Sequence, residues 1–134
     1  MLHDTQTAAR ENRGSTGNFH RFGWGDTPKI QASALKIEPG KESLSGLVKK
    51  MGPGFYFPVL HGIRAHEEQP FLHDLELSGF ECTASGETKP VKFVRLRCDF
   101  RELLRRAVVV GNDLAFWGQA GSPSILFEKI PLGM

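Results

Sequence analysis

The chain has 134 residues, of which 40% are hydrophobic and 24% charged, with a formal net charge of +2. This composition is ordinary for a globular domain, and it excludes a disordered chain or a membrane span, because no apolar run approaches the ~18 residues that a bilayer requires. The first residues, MLHDTQTAAR, lack the apolar core of a signal peptide, so we expect a cytoplasmic protein with no membrane partner.

Residues 1–28 are rich in turn-forming side chains and show no sustained period of 2 or 3.6, which predicts an extended, irregular arm. Three large aromatic side chains lie in this arm: Phe19, Phe22 and Trp24. Aromatic side chains are costly to leave in water. We therefore expect the arm to pack against the β-rich domain predicted for residues 29–134, or against a second chain.

That domain is predicted to begin with a strand over residues 30–37, which ends at a Glu-Pro-Gly turn. A short helix should follow. Ser43 is suited to cap it, the apolar residues of 44–51 recur at spacings of three and four, and Gly52 with Pro53 stops it.

Three strands and a second helix are predicted next. Residues 55–60 form a β-rich run in which Pro58 favours an edge position, and residues 75–82 and 91–97 form a hairpin. Asp99 then starts a helix, with Glu102 completing a capping box.

The last part of the chain predicts two buried strands, at residues 108–110 and 125–130, bounded by glycine-containing turns. Sequential strands pair most simply as antiparallel neighbours. The predicted fold class is α+β, mainly antiparallel β-sheet with two short helices.

The segment HGIRAHEEQPFLHD is the strongest candidate for metal chemistry. A zinc peptidase helix needs two histidines one turn apart, but His66 has its next histidine at position 73, with Pro70 between them. A looser site that uses His61, His66 and His73 would make the chain a metal-dependent hydrolase. The simpler interpretation, which we favour, is a polar loop at an edge.

Two other groups of polar residues invite a functional interpretation. Asn112 and Asp113 either bond their own main chain in a turn or face a cleft. A cluster of arginines either forms solvated faces or binds phosphate groups, and we consider nucleic acid the weaker alternative. Its members are Arg95, Arg97, Arg101, Arg105 and Arg106.

An ordered series of short motifs resembles the C-terminal domain of the TldD/PmbA family, the modulator-of-gyrase or microcin-processing proteins that are related to zinc metallopeptidases. The motifs are Ser15-Thr16-Gly17-Asn18, Leu35-Lys36-Ile37-Glu38-Pro39-Gly40, Gly54-Phe55-Tyr56, His61-Gly62, Val110-Gly111-Asn112-Asp113-Leu114 and Gly121-Ser122-Pro123-Ser124. The match begins inside the family's C-terminal domain, so the sequence looks like a fragment or a shortened relative.

The resemblance implies a β-rich domain that pairs with a related subunit, or with itself, around a cavity in which the active partner processes peptides. Active members carry a His-Glu-x-x-x-His helix upstream and a ligand cysteine in the loop after Gly-Asn-Asp. This chain has neither, since residues 114–123 contain no cysteine, and so it resembles the metal-free, PmbA-type (TldE-type) member. We expect no cofactor and no peptidase activity of its own.

We expect the contacts with a partner or with the peptide cavity to come from exposed aromatic groups, unpaired edges and the polar turn, because such features are normally covered. The residues are Phe19, Trp24, Phe55, Tyr56, Phe57, Asn112 and Asp113.

Overall fold

The structure is a computed structural model that describes residues 2–21 and 23–131. Its elements, in chain order, are α1 (Thr5–Arg10), β1 (Phe19–His20), β2 (Lys29–Ile30), β3 (Leu35–Lys36), α2 (Leu44–Met51), β4 (Gly54–His66), β5 (Gln69–Cys82), β6 (Thr88–Asp99), α3 (Phe100–Arg105), β7 (Ala107–Val110), β8 (Ala115–Trp117), β9 (Ala120–Ser122) and β10 (Ile125–Phe127). The predicted class, α+β with mainly antiparallel sheet, is confirmed. The described chain has three helices rather than two.

The chain divides into two compact units. The first contains the residues up to Ile37 together with Ala115–Ser122, and the second contains Glu38–Leu114 and the segment that begins at Pro123. In the described part of the chain, no helix has the length and apolar character that crossing a membrane requires.

The first unit contains the helix that the sequence did not predict. The Asp4 carboxylate caps α1 by accepting the Thr7 N–H at 2.6 Å. Only Ala8 of this helix is buried, so no apolar stripe marks it in the sequence. Local capping therefore replaces the irregular backbone that we expected for this segment.

Short strands complete the first unit. β1 pairs with β2, and β8, β9 and β3 form a second small sheet in which β3 runs parallel to β9. The single strand predicted over residues 30–37 is wrong, because its two ends pair with different partners. The Gln31 N–H bonds the Asn18 carbonyl, whereas the Leu35 N–H bonds the Gln119 carbonyl.

The second unit contains the main sheet, in the order β4-β5-β6. Its central strand places Leu75 opposite Ile63 on one side and Leu96 on the other. The core lies on the face of the sheet that carries Leu75. It consists of Leu75, Leu77 and Leu96, with Phe57, Cys98, Phe100 and Ile130 packed against them. Both outer strands of the sheet, β4 and β6, are edges.

The segment that contains the three histidines is not the polar loop that we favoured. β4 and β5 continue to His66 and Gln69, so the only residues outside the two strands are Glu67 and Glu68 at the turn. The extension is hard to recognise in the sequence because its apolar side chains are not buried. Ile63 is 54% exposed and Phe71 46%, and an uncovered strand needs no strict alternation.

Both predicted helices of the second unit form where the caps indicated. The Ser43 hydroxyl accepts the Gly46 N–H, Gly52 ends α2 at a φ of 62°, and the Asp99 carboxylate accepts the Arg101 N–H. The expected capping box at α3 gives way to a side-chain pair, because Glu102 accepts a hydrogen bond from Arg105 instead.

β7 and β10 pair with each other in an antiparallel register, so two strands form here as predicted, although β10 ends at Phe127 and not at residue 130. The expectation that both strands are buried is wrong. Val108 is 48% exposed, and the remaining residues of the two strands are only half-buried. A two-stranded ribbon covers too little area to bury its own side chains.

Candidate interaction surfaces

Phe19 and Trp24 of the N-terminal segment are uncovered in the first unit. Phe19 is 53% exposed and the Trp24 side chain is fully exposed. Phe22, the third aromatic residue that we expected to pack, lies outside the described residues. Exposed aromatic groups of this size are usually covered by another surface.

A second exposed apolar group in the first unit was missed by the sequence analysis. On the β3-β9-β8 sheet, Leu35 is 69% exposed, Phe116 55% and Trp117 72%. A signal was available: adjacent strand residues point to opposite faces, so Phe116 and Trp117 could not both enter one core. Phe116 lies over Gly121, where an added Cβ would come within 2.7 Å of the ring.

The Phe55-Tyr56-Phe57 run is less open than expected. All three residues are half-buried, and the rings of Phe55 and Phe57 stack with a centroid separation of 5.8 Å. Phe57 also packs against the core. The exposed large apolar side chains of β4 lie further along the strand, at Val59, Leu60 and Ile63.

The Gly-Asn-Asp segment forms a closed turn. The Asp113 carboxylate accepts the Ser124 N–H at 2.9 Å and the Ser124 hydroxyl at 2.6 Å. Gly111 donates its N–H to the Ser124 carbonyl, and the Asn112 N–H bonds the Glu42 carbonyl at 2.7 Å. Gly111 has no room for a side chain, since a Cβ would meet an Asp113 oxygen at 2.5 Å.

The electrostatics of this turn favour a structural role for Asp113. The Ser124 hydroxyl, with the Ser124 N–H, lowers the pKa of the Asp113 carboxyl, and both carboxylate oxygens are occupied. The group therefore stays ionised and has no proton to donate near neutral pH. Asn112 and Asp113 are both exposed residues of this turn.

Each of the three histidines contacts a different residue. His61 Nε2 lies 2.8 Å from the Ser78 hydroxyl, His66 Nε2 lies 3.0 Å from the Asp74 carboxylate, and the His73 ring stacks on Phe100. Among residues 2–21 and 23–131, no group of three or more His, Cys, Asp or Glu side chains is placed to hold a metal ion. This geometry does not favour the hydrolase alternative.

Four of the five clustered arginines are bonded within the protein. Arg97 donates two hydrogen bonds to Asp74, whose pKa the Arg97 guanidinium lowers to about 2. The other bonded arginines and their partners are Arg101 with Asp99, Arg105 with Glu102 and Arg106 with the Lys129 carbonyl. These internal partners compete with a phosphate ligand, so the geometry does not favour nucleic acid at this cluster.

The comparisons with known proteins identify the family. The family model described as the PmbA/TldA metallopeptidase C-terminal domain matches residues 1–133. The chain belongs to the TldD/PmbA family. A solved structure from Thermotoga maritima, described as a candidate modulator of a DNA gyrase, is 28% identical and superposes with a TM-score of 0.77. A search of the curated proteins found no match.

The likeness to the Thermotoga structure covers 96% of this chain and 29% of that chain. This TldD/PmbA chain thus corresponds to less than a third of the solved neighbour. Residues 114–123 contain no cysteine, and the described side chains include no group of three or more potential metal ligands.

Proposed function

We propose that this TldD/PmbA C-terminal domain is a non-catalytic component of a peptide-processing complex, and that it packs against a related subunit or a second copy of itself. The observation that carries the proposal is the uncovered apolar surface of the first unit, which is 105% exposed at Trp24, 72% at Trp117 and 69% at Leu35. Leu35 and Trp117 both pair with Ala120, so their side chains share one face of the β3-β9-β8 sheet, and an exposed apolar face of this kind is typical of an interaction surface.

The proposal assigns no bond cleavage to this chain alone. Zinc activates water for peptide hydrolysis only when about three protein ligands hold it and leave one position open. The sequence offers no His-Glu-x-x-x-His pattern and no cysteine in residues 114–123. The chain would instead shape a complex whose catalytic groups belong to another subunit.

Sedimentation velocity at micromolar concentration tests the packing, with the chain alone and mixed with a purified TldD/PmbA-type subunit. We expect a sedimenting species larger than the monomer in at least one of these two samples. The double variant Trp24→Ser, Trp117→Ser should weaken this species. Leu104→Ser is the matched control, because Leu104 is 60% exposed but lies on α3 in the second unit.

A chain that stays monomeric both alone and in the mixture would contradict the proposal. A cleavage assay on unstructured peptides tests separately whether the chain is non-catalytic. The chain alone should release no fragments, with or without added zinc. Zinc-dependent turnover that follows the purified chain would show that a peptidase centre has been overlooked.

A further inference from the structure

Two β-bulges flank Ser78 in the central strand of the main sheet. In β4, His61 is an extra residue between the partners of Leu77 and Glu76. In β6, the segment between the partners of Leu77 and Gly79 is also one residue longer than the segment of β5 that it faces. Bulges change the direction in which a side chain points, and they are over-represented next to active sites.

These bulges bring an imidazole and a main-chain donor to the Ser78 hydroxyl. The His61 Nε2 lies 2.8 Å from the Ser78 Oγ, and the Phe93 N–H donates to the same oxygen at 3.0 Å. Because the oxygen accepts the Phe93 N–H, its own proton is available for donation to His61 Nε2. A serine nucleophile and its general base lie within the same hydrogen-bond reach of each other, about 2.6–3.2 Å.

Packing holds the imidazole in this position. The His61 ring lies beside the Phe93 ring, with 4.9 Å between their centroids. Phe93 has a φ of +54°, in the left-handed region that a bulky side chain seldom adopts. Strained residues of this kind persist only where their surroundings hold them, and they concentrate at functional sites. The strained backbone is the one that directs the Phe93 N–H at the Ser78 hydroxyl.

The serine and the histidine lie on the face of the main sheet opposite the core. Leu77 belongs to the core, so Ser78, the next residue of the strand, points to the other face. Val59 pairs with Ser78 and shares that face. His61 is exposed, and the apolar side chains of Val59 and Phe93 are 44% and 61% exposed. Apolar surface beside the hydroxyl favours a reactant that is itself apolar.

We infer that Ser78 is an acyl-acceptor site, with His61 as its general base, for activated apolar acyl groups such as aryl esters or thioesters. His61 Nε2 takes the hydroxyl proton as Oγ bonds to the acyl carbon. The bond from that carbon to the leaving oxygen or sulfur then breaks, and the leaving group takes the proton from Nε2. The products are an ester on Ser78 and a free alcohol or thiol.

This inference goes beyond the proposed function and leaves it unchanged. The amine of a peptide bond is a poor leaving group, and its release depends on donors directed at the oxyanion that forms on the carbonyl. The Phe93 N–H is already directed at the Ser78 oxygen. We therefore expect acylation by activated donors and no release of peptide fragments.

Intact-mass spectrometry of the full chain after incubation with p-nitrophenyl hexanoate tests the site. Peptide mapping should locate a hexanoyl group on Ser78 and distinguish it from slow reaction at lysine side chains, and Ser78→Ala should abolish this label. Ser45→Ala is the matched control. Ser45 is an exposed serine whose hydroxyl lies 3.0 Å from the Ser43 hydroxyl rather than beside an imidazole, so its loss should leave the rate of labelling at Ser78 unchanged.

The variant His61→Gln distinguishes a general base from a structural partner. Glutamine can still bond the Ser78 hydroxyl but cannot take its proton, so acylation of Ser78 should slow by about a hundred-fold or more. Far-ultraviolet circular dichroism should be unchanged. This variant keeps the test decisive if Ser78→Ala loses its fold, because Ser78→Ala also removes the acceptor of the Phe93 N–H.

A label on Ser78 that depends on His61 supports the inference. Absence of the label from Ser78 in the folded parent chain overturns it, as do equal rates of labelling for the parent and His61→Gln. Ser78 would then be only the hydrogen-bond partner of the bulge. The proposed function is tested separately, by the sedimentation and peptide-cleavage experiments, so failure of one does not imply failure of the other.

Discussion

Replacing Asp113 tests whether the Gly-Asn-Asp motif is a structural clamp. Hydrogen bonds to a charged group contribute about 1.5–3 kcal/mol each, and this carboxylate makes two, to the Ser124 N–H and the Ser124 hydroxyl. Asp113 is exposed, so screening by solvent reduces that sum. We expect Asp113→Ala to lower the free energy of unfolding by about 1–2 kcal/mol, and Asp113→Asn, which keeps one acceptor, by about half as much.

Urea denaturation followed by far-ultraviolet circular dichroism measures this change. The neighbouring variant Asn112→Ala is the control, because the Asn112 main-chain bond to Glu42 remains and its exposed side chain is expendable for stability. Its effect should stay within about 0.5 kcal/mol.

The pH dependence gives an independent check. The pKa of Asp113 is lower in the folded chain than its usual 3.8, so the unfolded chain binds the proton at higher pH. The stability from the clamp is therefore complete above 3.8 and is lost as the pH falls through the folded pKa. The difference between the parent and Asp113→Ala should shrink in strong acid. An unchanged difference there, or equal losses for Asp113→Ala and Asn112→Ala at neutral pH, would refute the clamp.

Three further predictions concern the main sheet. Leu96→Ala should cost about 2–4 kcal/mol in urea denaturation, because Leu96 is 6% exposed in the core, whereas Leu60→Ala at 54% exposure should cost under ~1 kcal/mol. Gly79→Ala should destabilise the fold strongly, since its Cβ would fall 1.9 Å from the Tyr56 carbonyl oxygen. Gly62→Ala, whose Cβ would have nothing within 4 Å, should be tolerated. Comparable melting temperatures for the two variants would contradict this. The Asp74 carboxyl should titrate near pH 2 by NMR, and a midpoint near 3.8 would show that its arginine pair does not persist in solution.

Local signals in the sequence were sufficient where a residue's own side chain determines the backbone. Ser43 and Asp99 cap the helices that they predicted, and the hairpin of β5 and β6 follows from alternating apolar residues and a polar connection. Capping and turn chemistry depend on neighbours within a few residues, so one sequence carries the information.

Features that depend on distant contacts were not predictable in this way. The strand extension through His61 and His66 carries no buried alternation, and the single strand expected over residues 30–37 splits because each end finds a different partner. The positive φ of Phe93, +54°, is equally hidden, because it accompanies a bulge opposite Ser78. The Gly-Asn-Asp motif is recognisable in the sequence, but its closure onto Ser124 joins residues eleven positions apart and depends on the folded chain.

The distribution of the two tryptophans has a practical consequence for spectroscopy. Trp24 and Trp117 both belong to the first unit and are open to solvent, whereas the one tyrosine of the chain, Tyr56, is half-buried in the second. Indole emission therefore reports on the first unit alone. Accessibility to a soluble quencher, measured before and after a partner is added, would show directly whether that partner covers the indoles.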